Sequence, residues 1–184
     1  MLFPLFLRLE GKRVLVVGGG TVAEKKAIDL ADAGAKVTVV APEISEAVTV
    51  DERITKEQRG FEESDVDGAW LVVAATDDPI TQKRACEAAD TAHLFSIAVD
   101  DPPNGSAYSA SVLRRGSFTV AISSTGEAPA LTRLLREVLE QALPEEDWLD
   151  QAKALRERWK RDGTPMTSRF AELVKAFKER AGGG

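Results

Sequence analysis

Hydrophobic and polar positions follow two different rhythms along this chain. Up to about Asn104, short unbroken apolar runs alternate with stretches of helical period. Arg13-Val14-Leu15-Val16-Val17 stops at three glycines. Ala27, Ile28, Leu30, Ala31 and Ala33 then carry an apolar helix face to Gly34, a natural C-terminal stop. Lys36-Val37-Thr38-Val39-Val40-Ala41-Pro42 reads as a second strand, residues 53–61 as a short third strand with its flanks, and Ala69 to Asp78 as a fourth. Pro79 to Ala92 reads as a helix with proline in its first turn and with its alanines and Cys86 inward, and Leu94 to Asp100 as a fifth strand. Runs that are apolar without alternation belong to strands covered on both faces, as in parallel sheets between helix layers. The succession predicts an α/β chain built on a Rossmann-like, doubly wound parallel sheet. The apolar start, Met1 to Leu7, is expected to form an edge segment of that sheet.

Beyond Asn104 the rhythm changes. Ala107 to Leu113 and Ser117 to Ser123 flank Arg114-Arg115-Gly116, the pattern of a hairpin or of strands exchanged between subunits. A helix runs on to Leu143, with Leu131, Leu134, Leu135, Val138, Leu139 and Ala142 in one broad stripe, and Pro144 closes it. Two strands and such a stripe carry more apolar surface than one small lobe covers, so a homodimer is expected. From Glu145 to Ala181 the pattern is helical and highly charged, with Trp148, Leu149, Leu155, Trp159, Phe170, Leu173, Val174 and Phe177 as apolar anchors. Gly163-Thr164-Pro165 divides it into two helices. The expected organisation is a dinucleotide-binding Rossmann domain over residues 1–106, a strand–helix dimerisation region over 107–144, and a small helical C-terminal domain over 145–184, too short for a core of its own.

The glycine run carries the first chemistry. Gly18-x-Gly20-x-x-Ala23 between a strand and a helix fits the dinucleotide fingerprint: one glycine turns the chain, Gly20 admits a pyrophosphate to the backbone, and Ala23 lets helix and strand approach closely. The helix N-terminus then faces the phosphates. The alternative is a glycine-rich turn in some other α/β protein. Near the end of the second strand the only acid is Glu43, and no Lys or Arg lies there to take a 2′-phosphate, which favours NAD over NADP. The fourth strand ends in Ala75-Thr76-Asp77-Asp78, where an α/β sheet meets its cofactor.

Composition narrows the classes. A chain that is 43% hydrophobic and 29% charged has the material for a globular core, and its net charge of −6 argues against sequence-independent nucleic-acid binding. The apolar stretches are too short to span a membrane, and the N-terminal one has neither a basic region before it nor a small-residue cleavage site after it; the expected location is the cytoplasm. One cysteine, Cys86, excludes an internal disulfide. With His93 as the lone histidine, no structural metal is expected.

Several motifs then occur in a fixed order: Phe3-Pro4-Leu5-Phe6-Leu7, Gly18-Gly19-Gly20-Thr21-Val22-Ala23 with Lys25 and Lys26, Ala74-Ala75-Thr76-Asp77-Asp78, Val99-Asp100-Asp101-Pro102, and Val120-Ala121-Ile122-Ser123-Ser124 leading to Ala128-Pro129-Ala130-Leu131 and Arg133-Leu134-Leu135-Arg136-Glu137. From about residue 3 to 144 the chain resembles the precorrin-2 dehydrogenases, whose bifunctional members are also sirohydrochlorin ferrochelatases and include the N-terminal module of siroheme synthase. The resemblance implies an NAD-binding domain, a central dimerisation region, a helical C-terminal domain, and NAD-dependent oxidation of precorrin-2 to sirohydrochlorin. In bifunctional members Fe²⁺ is a further substrate and siroheme the product. Ile97, Ala107, Ala110 and Glu127 depart from residues usual in the family near the tetrapyrrole, so the Fe²⁺ step stays open here.

By the same resemblance Thr21, Val22, Pro42 and Glu43 are NAD contacts, joined by Gly18, Gly20 and Thr76 from the loop reading. Asp100 is the catalytic acid, and Ser124 lies in the substrate-proximal loop. Read alone, Asp100-Asp101 equally ends a strand and opens a proline turn, and Ser123 to Gly126 equally caps a helix. A substrate with eight carboxylates calls for cations, and Arg114, Arg115, Arg133 and Arg136 are candidates, Arg133 foremost. Two rival classes remain. A non-catalytic NAD-sensing regulator would need a partner- or DNA-binding element that the acidic C-terminal helices do not offer. A short-chain-type dehydrogenase would need Tyr-x-x-x-Lys, whereas Tyr108 is followed four residues on by Val112.

Overall fold

The computed structural model describes residues 2–116, 118–142 and 147–181. The chain divides into two compact units, Met1–Ser109 with Thr125–Glu127, and Ala110–Ser124 with Ala128–Gly184.

In the first unit, β1 (Arg13–Val17), β2 (Lys36–Val40), β3 (Ile54–Glu57), β4 (Leu71–Ala74) and β5 (Phe95–Ala98) form one sheet in the order β3-β2-β1-β4-β5, every pair parallel. Side chains alternate across a strand, so each half of β1 serves a different layer. Val14 and Val16 pack with Ala23, Ala27 and Ala31 of α1 (Thr21–Asp32) and with Val48 of the short α2 (Glu46–Val50). Leu15 and Val17 pack with Ala85, Cys86 and Ala89 of α3 (Pro79–Thr91), with Phe61 and Val66 beside them. Helices on both faces make the sheet doubly wound, and the alanine stripes let them sit close to it. Leu15 is wholly buried, so truncation to alanine would cost about 2–5 kcal/mol.

The N-terminal segment departs from expectation. Residues 2–8 form no strand, and Leu2, Phe3, Leu5, Phe6 and Leu7 are exposed. The chain enters instead through a turn in which Lys12 N–H donates to Leu9 C=O and Gly11 N–H to Gly34 C=O, delivering Arg13 into the central strand. Pro4 also lacks an N–H for a sheet ladder.

In the second unit, β6 (Ser111–Arg115) and β7 (Phe118–Ile122) form an antiparallel pair in the register Ser111↔Ile122 to Arg115↔Phe118. α4 (Pro129–Ala142) lies along β6, where the Arg115 guanidinium donates to Glu140 C=O. Its apolar stripe is uncovered: Leu131, Leu134, Leu135 and Val138 are 42–54% exposed. α5 (Asp147–Asp162) and α6 (Met166–Ala181) meet at Trp159, whose indole N–H donates to Glu172 at 2.8 Å. Phe170, expected as an anchor, is 74% exposed, because it stands about 200° around the helix from Glu172, which faces α5. Leu143, Pro144 and the side chains of Trp148 and Phe177 lie outside the described residues.

Candidate functional site

The order of the sheet creates the site. From β1 the chain winds out to β2 and β3, then returns to lay β4 on the other side of β1, so the loops leaving β1 and β4 diverge. A crevice opens at such a reversal, beyond the carboxyl ends of the strands. Here it is a cleft of about 560 Å³ whose walls are residues 18–22 after β1, 41–43 after β2, Gly60 and Phe61 after β3, and 75–78 after β4. Gly18, Gly20, Thr21, Val22, Pro42, Glu43 and Thr76, separated by up to 58 positions in sequence, all line it.

The three glycines do three different things. Gly18 has φ +127°, and a Cβ there would lie 2.1 Å from Ala75 C=O. A Cβ on Gly19 would lie 1.8 Å from Glu43 C=O. These two glycines let the β1, β2 and β4 loops touch. Gly20 is different: its backbone is extended (φ −78°, ψ −178°) and a Cβ would meet no atom within 4 Å. No contact within the protein requires a glycine there. Gly20 is also the N-cap of α1, with no side chain capping it, so the first helical N–H groups stay available. A strand-end turn, open space over Gly20 and an uncapped helix N-terminus fit a dinucleotide pyrophosphate.

The rest of the cleft is shaped by capping. Asp78 accepts from the N–H groups of Ile80 (3.1 Å) and Thr81 (3.2 Å) and from the Thr81 hydroxyl. The Thr81 hydroxyl bond holds its carboxyl below the usual range. Thr76 Oγ1 in turn accepts from Asp78 N–H at 3.2 Å, so Thr76 sets the loop it lines. Arg59, next to Gly60, is committed to Asp65 through bonds of 2.6 and 2.9 Å and to Gly60 C=O.

Asp100 stands at the end of β5, exposed and outside the lining of this cleft. Its φ of +58° is left-handed, a conformation that costs a non-glycine residue about 1 kcal/mol and that Asp tolerates better than most. Val99 N–H donates to Ala74 C=O at 2.9 Å. The buried Gln82 amide donates to Val99 C=O (2.7 Å) and Ala74 C=O (3.2 Å). The neighbouring Asp101 carboxylate is taken by the Asn104 side chain.

Ser124 and Arg133 belong to the second unit. Ser124 Oγ accepts from Ala128 N–H at 3.0 Å ahead of α4, and Arg133 pairs with Glu137 at 2.9 Å on the solvent side. Arg136 pairs with Glu140. Cys86 is buried, its thiol pKa raised by desolvation. Among the described residues no group of three or more His, Cys, Asp or Glu could hold a metal ion, and no helix is long and apolar enough to cross a membrane.

Sequence reasoning missed Gly19 and Gln82. The signal for Gln82 was present: it occupies the inward stripe of α3 with Ala85, Cys86 and Ala89, a polar residue on a face otherwise apolar. No comparable signal exists for Gly19, whose neighbour Glu43 is set by tertiary structure.

A parallel sheet in this order, with a glycine turn opening into an uncapped helix, defines a dinucleotide-binding Rossmann domain. Residues 5–111 match the family described as "Putative NAD(P)-binding", and the chain belongs to it. It is 46% identical over 145 residues to siroheme synthase 1 of Aeromonas salmonicida and 43% identical over 145 residues to the siroheme synthase of Escherichia coli O157:H7. These alignments cover 77% of this chain but 31% and 32% of those proteins, so the chain spans about a third of the length of the curated relatives it matches. Its fold is that of the solved structure of SirC, precorrin-2 dehydrogenase, with a TM-score of 0.75 at 23% identity over 95% of this chain and 88% of that one.

Proposed function

We propose that this chain oxidises precorrin-2 to sirohydrochlorin with NAD as the acceptor, a step in siroheme biosynthesis. The observation that carries the proposal is the 46% identity to a siroheme synthase over a stretch long enough to include the cleft and Asp100 together. The reaction removes two hydrogens from the macrocycle, one as hydride and one as a proton. When bound, NAD supplies the hydride acceptor. The residues of the chain do the rest. Gly20, Thr21 and Val22 bind the pyrophosphate at the start of α1. Pro42 and Glu43 contact the adenosine ribose, and Thr76 shapes the β4 loop. Asp100 receives the proton as hydride leaves; a carboxylate on a strand-end turn is suited to that role as a general base. Ser124 and Arg133 are proposed substrate contacts, Arg133 releasing Glu137 for a substrate carboxylate.

The proposal extends to assembly. The uncovered stripe Leu131, Leu134, Leu135 and Val138 supports a homodimer built on residues 107–144. The enzyme is assigned to the cytoplasm, where NAD is at hand. Domain limits of 1–106, 107–144 and 145–184 are retained as the functional division.

The test is spectroscopic. The protein is mixed with precorrin-2 and NAD, and the sirohydrochlorin and NADH bands are followed, first without and then with Fe²⁺. Turnover without metal supports the dehydrogenase; a siroheme spectrum only on adding Fe²⁺ adds the chelatase half. Asp100→Asn is expected to lower the oxidation rate at least roughly a hundredfold, the loss of a general base, with NAD affinity within about threefold of wild type. A near-normal rate in Asp100→Asn would overturn the assignment of the base.

A further inference from the structure

A catalytic carboxylate needs more than the right residue; its backbone must be held. Asp100 sits in the left-handed region one residue beyond Val99, at the point where β5 leaves the sheet. Nothing in the sequence of the turn fixes it there, since residues 99–101 contain no glycine, and the proline of the segment comes only at 102. The restraint comes from the opposite layer. Gln82, one turn into α3, is 7% exposed and turns its amide nitrogen onto two carbonyls at once, Val99 C=O at 2.7 Å and Ala74 C=O at 3.2 Å. Ala74 is the last residue of β4 and immediately precedes the loop that walls the dinucleotide cleft. Its carbonyl also accepts from Val99 N–H. One side chain therefore links the end of the cofactor-side strand to the end of the strand that presents Asp100. Both hydrogens of the amide are used, and both acceptors are main chain. α3 itself is anchored at that end by the Asp78 cap, so the amide is carried on a rigid element.

We infer that Gln82 is a positioning residue, fixing the Val99–Asp100 turn against the β4 loop so that the Asp100 carboxylate and the dinucleotide keep one relative placement. The inference deepens the dehydrogenase reading and rests on it for the kinetic consequence. Its structural half stands on the protein alone. Gln82 touches neither cofactor nor substrate in this role, so its removal acts on the chemical step and leaves binding in place. A shift of an ångström at a proton-accepting group is enough to lower turnover strongly.

The experiment uses the full chain with Gln82→Leu and Gln82→Glu. Leucine keeps the bulk and removes both donors. An ionised glutamate has none, whereas a protonated one regains a single O–H donor, and burial favours protonation. Expected for both variants at pH 7.5 is a kcat for precorrin-2 oxidation at least roughly tenfold lower, with KM and NAD affinity within about threefold. On lowering the pH toward 5, Gln82→Glu should recover part of its loss relative to wild type, and Gln82→Leu should not. Hydrogen exchange of the apo protein supplies a readout independent of activity. The Val99 amide should exchange at least tenfold faster in Gln82→Leu than in wild type, with the Val16 amide of β1 as an internal reference. If wild type oxidises precorrin-2 and the variants match its kcat, or lose NAD affinity in step with kcat, the positioning role is wrong. If wild type does not oxidise precorrin-2, the dehydrogenase reading fails, and the exchange at Val99 alone decides whether Gln82 holds the turn. Unchanged exchange overturns that as well.

Discussion

Adding one side chain at Gly20 should separate folding from cofactor binding, because the site itself is open. A Cβ at that position meets no atom within 4 Å and the backbone is extended, a conformation valine favours. Gly20→Val should therefore leave the thermal midpoint within about 2 °C of wild type. Its methyl groups, however, fill the space over the first N–H groups of α1. Losing two hydrogen bonds to a charged phosphate, at about 1.5–3 kcal/mol each, gives about 3–6 kcal/mol. At about 1.4 kcal/mol per tenfold, NAD affinity should fall by roughly a hundredfold or more. Gly19→Ala is the counterpart. Its Cβ would lie 1.8 Å from Glu43 C=O, and ordinary contact begins at 3.4 Å, so the β2 loop must retreat by about 1.6 Å. That loop is tied back by the Ser45 N–H to Gly19 C=O bond. Overpacking of this kind costs about 1–3 kcal/mol, which at about 2–4 °C per kcal/mol lowers the midpoint by roughly 2–12 °C. Circular dichroism melts and calorimetric titration with NAD measure the two effects side by side. Should Gly20→Val bind NAD within threefold of wild type, or melt as early as Gly19→Ala, the assignment of the pyrophosphate to this turn is refuted.

Three further outcomes are expected. NAD should bind at least roughly tenfold more tightly than NADP, about 1.4 kcal/mol, because Glu43 borders the cleft and Arg59 is held by Asp65; equal affinities by fluorescence titration would contradict this. Light scattering at micromolar concentration should show a dimer, and Leu134→Glu with Val138→Glu should yield monomer; a wild-type mass of 19.9 kDa would rule the interface out. Asp65, 8% exposed, accepts from Arg59 and from Glu62 N–H, and Asp65→Asn should cost about 1.5–3 kcal/mol in urea unfolding at pH 7. The bonds from Arg59 depress its folded pKa below the unfolded value, so this stability is present above about pH 4 and disappears as the pH falls through the folded pKa. The two proteins should therefore converge in stability under acid and diverge toward neutral pH.

The sequence by itself determined the elements and their order. Unbroken apolar runs such as Val14 to Val17 are stable only when covered on both faces, so the parallel sheet and its helix layers were legible from local pattern alone. The glycine turn was legible for a related reason: its residue types serve a local geometry, strand to helix, that 3 glycines and a following alanine specify. Asp100 is proposed as the base only through a resemblance in motif order, because a strand-ending acid looks the same whether it catalyses or turns the chain. Tertiary structure decided what depends on contacts between distant segments. It gave Gly19 its reason in Glu43 C=O, left Gly20 open, and brought Gln82 onto Val99 and Ala74, residues 17 and 8 positions away. It also kept Leu2 to Leu7 out of the sheet and Phe170 out of the α5–α6 contact, where apolar character alone had argued for burial. Hydrophobicity states a preference for leaving water, but it does not name the partner. Which surface receives a side chain is settled only when strands and helices from all along the chain compete for the same space.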